Sequence, residues 1–96
     1  MKRGDIVTAA AQGDYGKPRP AVVIQSERLA ETDSVLLCLI TSELRDASFH
    51  RVPLQPTAET GLRQASQIMV DKILAVKRSR CGPPIGRLDR PTLAWR

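Results

Sequence analysis

No apolar run in this chain is longer than the six residues from Val35 to Ile40, and six glycines and seven prolines punctuate the rest. An amphipathic helix needs apolar residues at a period of about 3.6 over roughly ten or more positions, whereas short Val-, Ile- and Leu-rich runs between turn residues are strands. The pattern therefore commits the chain to short strands with little helix. A run of six is also far too short to span a bilayer, and Met1-Lys2-Arg3 leads straight into Gly4-Asp5 with no apolar signal segment behind it. The expectation is a cytoplasmic protein with no membrane contact. Cys38, inside an apolar run, and Cys81, before Gly82-Pro83-Pro84, have no metal-ligand spacing and read as free thiols.

Ile6 to Ala10 reads as a first strand, left at the turn residues Gln12-Gly13-Asp14-Tyr15-Gly16. Proline donates no ladder hydrogen bond, so the second strand is expected to start after Pro20 and run from Ala21 to Gln25. Ser26 to Ser34 suits an exposed loop or a short helical turn, and Val35 to Thr41 a central strand covered on both faces. Phe49 to Leu54 alternates apolar with polar residues before Pro56 and reads as an edge strand. Ser66 to Val70 forms a strand that Asp71-Lys72 end, Ile73 to Val76 another, and Cys81 to Gly86 a loop, because it holds two prolines and two glycines. The tail from Leu88 has helix-start chemistry at Asp89 and Pro91 but stops before three turns. Ninety-six residues make a single domain, 1–96. Five to seven short strands make that domain mainly β, a small antiparallel barrel or strongly twisted sheet with at most one short C-terminal helix.

The formal charge of +5 is unevenly spread: residues 72–96 carry seven basic residues against one acid, while residues 1–71 carry eight bases and nine acids. A basic stripe of this kind suits phosphates or an acidic protein partner, and equally a solubilising surface. Only Tyr15, Phe49 and Trp95 are aromatic, which disfavours recognition of bases by a row of stacking rings. The sequence has one histidine, no phosphate-binding glycine loop and no tight carboxylate cluster, so a two-histidine ribonuclease mechanism within one chain is excluded and a metal-dependent nuclease is disfavoured. No metal and no other cofactor is expected.

Segments in a particular order carry more information: Arg3-Gly4-Asp5-Ile6-Val7, Lys17-Pro18-Arg19-Pro20-Ala21-Val22-Val23-Ile24-Gln25, Leu39-Ile40-Thr41-Ser42, Gly61-Leu62, Ser66 to Ile73, and Ile85-Gly86-Arg87-Leu88-Asp89. Together they resemble the MazF/PemK (Kid-like) toxins of type II toxin–antitoxin systems over nearly the whole chain. The resemblance implies an SH3-like or CcdB-like barrel, a homodimer, and a metal-independent endoribonuclease, an mRNA interferase, that cuts single-stranded RNA at specific sequences. In that chemistry the RNA's own 2′-hydroxyl attacks the adjacent phosphorus, leaving a 2′,3′-cyclic phosphate and a 5′-hydroxyl. It implies as partner a cognate acidic antitoxin, through which alone the protein would meet DNA.

The resemblance also assigns roles. Arg19 matches the catalytic arginine, its planar fork of donors suited to two phosphate oxygens. Thr41 matches the catalytic threonine, and Asp71 an acidic residue that accepts a proton or orients the arginine. Lys17, Ser42, His50, Lys72 and Arg78 are candidate RNA contacts. The chain departs from some relatives at Met69, where they carry an arginine used in proton transfer, in lacking a first-loop histidine, and at a C-terminus shorter than their packed helix. Two other readings on the same fold differ in class: a CcdB-like gyrase poison, suggested by Trp95, and a catalytically inactive module that binds nucleic acid or antitoxin.

Overall fold

The computed structural model describes residues 1–10, 17–26, 28, 31–46 and 50–89. The first loop (12–16), Phe49 and the tail with its expected helix fall wholly or partly outside these residues. Six strands follow one another: β1 Asp5–Ala9, β2 Arg19–Val23, β3 Ser34–Thr41, β4 Arg51–Leu54, β5 Ser66–Lys77 and β6 Cys81–Arg87, with one 3₁₀ turn, Arg78–Arg80, between the last two. They form one antiparallel sheet in the order β4-β5-β3-β2-β1-β6. Among the described residues no helix is long and apolar enough to cross a membrane.

Alternation along the strands buries both faces of the sheet's middle. One core gathers Ile6, Val22, Cys38, Ile40, Leu54, Ile68 and Leu88; the other gathers Val7, Ala9, Ala21, Val23, Val35, Leu37 and Val76. A flat sheet of this size could not cover both of its own faces, so the sheet rolls. Its two edges approach without pairing strand to strand, which makes it barrel-like only loosely. The residues after β4 complete the roll. Arg87 N–H donates to the Glu59 carbonyl at 2.9 Å, and Leu88 N–H to that of Gly4 at 2.8 Å. A Cβ on Gly86 would strike the backbone of Thr60, and one on Gly61, which has φ of 70°, the carbonyl of Ile85. This seam is pinned further by Arg87 Nη2 on Asp5 Oδ1 at 3.2 Å, the Asp5 side chain being only 9% exposed.

Three expectations are corrected. β2 starts at Arg19 and includes Pro20, paired with Thr8; proline is tolerated there because the β2–β3 ladder begins only at Ala21. Asp71-Lys72 do not end a strand, since β5 runs through them for 12 residues. The polar pair marks an irregularity instead: between the pairs Ile40↔Ile68 and Cys38↔Ile73, β3 has Leu39 alone while β5 has 69, 70, 71 and 72. Cys81 to Gly86 is not a loop but the edge strand β6, whose ladder with β1 shifts register twice. Prolines sit at an edge because no outer neighbour needs their missing N–H, and Gly86 permits the close seam.

Candidate active site

Antiparallel pairing aligns side chains laterally, because directly opposed residues point to the same face. The β1–β2 register sets Ala9 against Arg19, and the β3–β5 and β4–β5 registers set Thr41 against Gln67 and Gln67 against Pro53. On β2 and β3, Ala21 opposes Leu39; continued by one like-facing step, that register brings Arg19 beside Thr41. A single row, Arg19, Thr41, Gln67 and Pro53, therefore crosses four adjacent strands on one face at one end of the sheet. Arg19 and Pro53 are exposed, Thr41 and Gln67 half-buried.

The row is held at its centre. Glu43 N–H donates to Thr41 Oγ1 at 3.0 Å, which occupies the hydroxyl as an acceptor and leaves its own proton to be donated elsewhere. Gln67 fastens the segment after Thr41: its Oε1 accepts from Arg45 N–H at 3.1 Å and its Nε2 donates to the Arg45 carbonyl at 2.9 Å. Arg51, opposite Met69 on β4, reaches the same amide, Nη1 donating to Gln67 Oε1 at 3.0 Å and to the Glu43 carbonyl at 3.2 Å. Neither Gln67 nor Arg51 was singled out by the sequence, because their placement depends on a β4–β5 register that no local pattern encodes.

The other candidates are distributed unevenly. Lys17 is exposed two residues ahead of Arg19, and Ser42 is exposed in the bend after Thr41. His50 is half-buried before β4, its carbonyl accepting from Val70 N–H at 3.0 Å. Asp71 and Lys72 lie in the β5 irregularity and pair with each other at 3.6 Å. Asp71 is close enough to Cys38 to reinforce the effect of burial on that thiol, which is pushed up to about 11; Cys38 Sγ donates to the Met69 carbonyl at 2.9 Å. Arg78 is apart from the rest. It follows β5 at the end where Lys77 faces Ser34, and its Nε donates to the Thr32 carbonyl. Among the described residues, no group of three or more His, Cys, Asp or Glu side chains is gathered to hold a metal ion.

A small rolled antiparallel sheet, with its basic, hydroxyl and amide groups in one row at the end of its central strands, defines the class of protein. The chain belongs to the PemK-like, MazF-like toxins of type II toxin–antitoxin systems, whose sequence profile matches residues 2–94. It is 46% identical over 89 residues to "Probable endoribonuclease MazF" of Mycolicibacterium smegmatis, an alignment covering 92% of this chain and 82% of the relative. In structure it is similar to Mycobacterium tuberculosis toxin MazF-mt6, with a TM-score of 0.78 and 26% identity over 94% of this chain and 88% of the other. An endoribonuclease in complex with its cognate antitoxin from a mycobacterial species shares the fold at a TM-score of 0.78 and 18% identity, covering 97% and 84% of the two chains. A chain of the MazE–MazF crystal structure from Deinococcus radiodurans shares it at 0.74 and 23%, covering 98% and 85%.

Proposed function

We propose that this toxin is an endoribonuclease that cleaves single-stranded RNA without a metal ion, and that the Arg19–Thr41 pair holds the scissile phosphate. The alignment of a guanidinium and an oriented hydroxyl on one face of adjacent strands is the observation that carries this reading. The substrate's 2′-oxygen forms a bond to phosphorus and the bond to the 5′-oxygen breaks; one proton leaves the 2′-hydroxyl and one is delivered to the 5′-oxygen. The negative charge that accumulates on the non-bridging oxygens is met by the Arg19 fork and by the Thr41 O–H, whose oxygen Glu43 N–H already holds. Asp71 is proposed as the proton acceptor or as the group that orients Arg19, and Lys17, Ser42, His50 and Lys72 as contacts along the strand; Arg78 would meet only a longer RNA.

The partner is proposed to be an acidic antitoxin, in keeping with the relative solved in complex with its cognate antitoxin, and its segment would cover the same row. A homodimer is proposed as well. Leu36 and Ile73, 39% and 52% exposed, share a face through their partners Ala75 and Cys38 and offer apolar surface to a second copy. The test is incubation of the purified protein with a long RNA in excess EDTA, followed by mapping of the cut ends. Sequence-restricted cuts that leave 5′-hydroxyl and cyclic phosphate ends, lost in a folded Arg19→Ala variant, are expected. Cleavage by that variant at the wild-type rate would remove Arg19 from the site.

A further inference from the structure

Arg51 carries a charge that nothing near it neutralises. Among the described residues it has no carboxylate within ion-pair distance: Asp46, the nearest acid in sequence, forms no ion pair with it, and Glu43 spends its carboxylate on Arg45 at 3.3 Å. Both bonds of Arg51 leave from Nη1 and end on neutral oxygens, those of Gln67 and the Glu43 carbonyl. Its Nε–H is buried without an acceptor, the one such side-chain atom among the described residues. Half-burying a cation without a counter-charge and leaving a donor unmet both oppose folding. An arginine held only by neutral oxygens is positioned without being neutralised, and its charge remains for a ligand. Nη2 takes part in neither bond, and with Nε shut away from the surface it is the group of the fork left to meet an anion.

The position gives that ligand a place. Arg51 and Met69 continue the face that holds Gln67 and Thr41, and the guanidinium leans back toward the segment after Thr41. Thr41 thus has Arg19 on the neighbouring strand to one side and Arg51 two strands away on the other. β2 and β4 are three strand spacings of about 4.8 Å apart, so the two arginines reach the row from opposite sides, placed to engage successive phosphates of one RNA strand. We infer that the RNA backbone crosses the strands from β2 toward β4, and that Arg51 binds the phosphate next to the scissile one. This rests on the nuclease reading above and adds a direction and a second anchoring residue to it. Gln67 acts through Arg51, as a positioning residue that fixes which edge of the fork faces the substrate.

The experiment uses short RNAs carrying one mapped cut site, in which each phosphate flanking the scissile one is replaced in turn by an uncharged methylphosphonate. With the wild-type protein, one of the two replacements is expected to raise KM by about 10-fold with a smaller change in kcat. Arg51→Ala is expected to raise KM similarly on the all-phosphate RNA and to become indifferent to that replacement, while Arg51→Lys recovers part of the loss. No KM effect of either replacement on the wild type, or an equal penalty for the wild type and Arg51→Ala, would overturn the inference. Binding of a non-cleavable 2′-O-methyl RNA, followed by fluorescence anisotropy against salt, serves when the wild type cuts and a folded Arg51→Ala does not. A salt slope smaller by about one phosphate in the variant supports the inference, and an unchanged slope overturns it. Absence of cleavage by the wild type removes the nuclease reading, whereas cleavage with no Arg51 effect removes only this one.

Discussion

The seam and the row occupy different parts of one sheet and use backbone contact in opposite ways. At the seam, where residues 57–61 meet β6, chain presses on chain, Gly61 and Gly86 leave no volume for a side chain, and the buried Asp5 takes up the charge of Arg87. In the row, side chains rather than backbone make the contacts, tying Thr41 and Gln67 to the segment after Thr41, and Arg51 beside it is held by neutral oxygens with its charge unspent. The first arrangement secures the fold and exposes little chemistry. The second keeps chemistry available and contributes little to stability. The division has a thermodynamic sense, since groups held ready for a ligand cannot also be fully satisfied by the protein.

The sharpest way to break this contrast is at Gly86. Gly86→Ala puts a Cβ against the Thr60 backbone, and is expected to cost more than about 3 kcal/mol in denaturant melts while leaving the cleavage rate per folded molecule unchanged. A stable Gly86→Ala protein would show that the seam is not a closure. At Thr41 the signs reverse. Thr41→Val is expected to lower kcat by about 100-fold, with Thr41→Ser restoring most of it, and to cost only about 1 kcal/mol of stability through the lost bond from Glu43 N–H. A smaller effect belongs to Gln67→Leu, which removes two hydrogen bonds to Arg45 in the segment after Thr41 and one from Arg51. KM should rise by about 3- to 10-fold and stability fall by about 1 to 2 kcal/mol, a mixed result that places Gln67 between the two regions.

The effect that is smallest at neutral pH is a pH dependence from the core between them. In the unfolded chain the Cys38 thiol ionises near its ordinary 9.0, but in the fold burial foremost, and then the charge of Asp71, pushes it up to about 11. Between those values the folded state keeps a proton that the unfolded state has lost, so stability falls as pH rises from about 9 and stops falling above about 11. Cys38→Ala, compared with the wild type by urea melts across that range, should flatten this part of the profile.

Sequence pattern made β1, β3 and β4 legible because each is a short apolar or alternating run between turn residues. It missed β6 because local propensity counts glycine and proline against a strand, whereas an edge that must be closely approached and has no outer neighbour accepts both. It cut β5 in two because a charged pair in a continuous ladder looks like a terminus when its partner strand is unknown. Arg19 and Thr41 could be proposed only through the ordered motifs around them, since a lone arginine before a proline or a threonine at a strand end has commoner structural uses. Gln67 and Arg51 left no local signal at all. What makes them part of the site is the pairing of Pro53 with Gln67 and of Arg51 with Met69, strands joined across residues 55–65.

The irregularity at residues 69–72 also sets an arithmetic on the chain. Before it, odd-numbered Gln67 shares a face with Thr41; after it, even-numbered Leu74 and Val76 share that same face with Leu37 and Val35. Deleting or inserting a single residue there would invert everything downstream, turning Leu74 and Val76 out to water and Ile73 and Ala75 in, whereas a change of two residues would return each side chain to its own face. Length variation at this point in β5 is therefore tolerated in even steps, and a one-residue change would unmake the second core without touching a single residue of it.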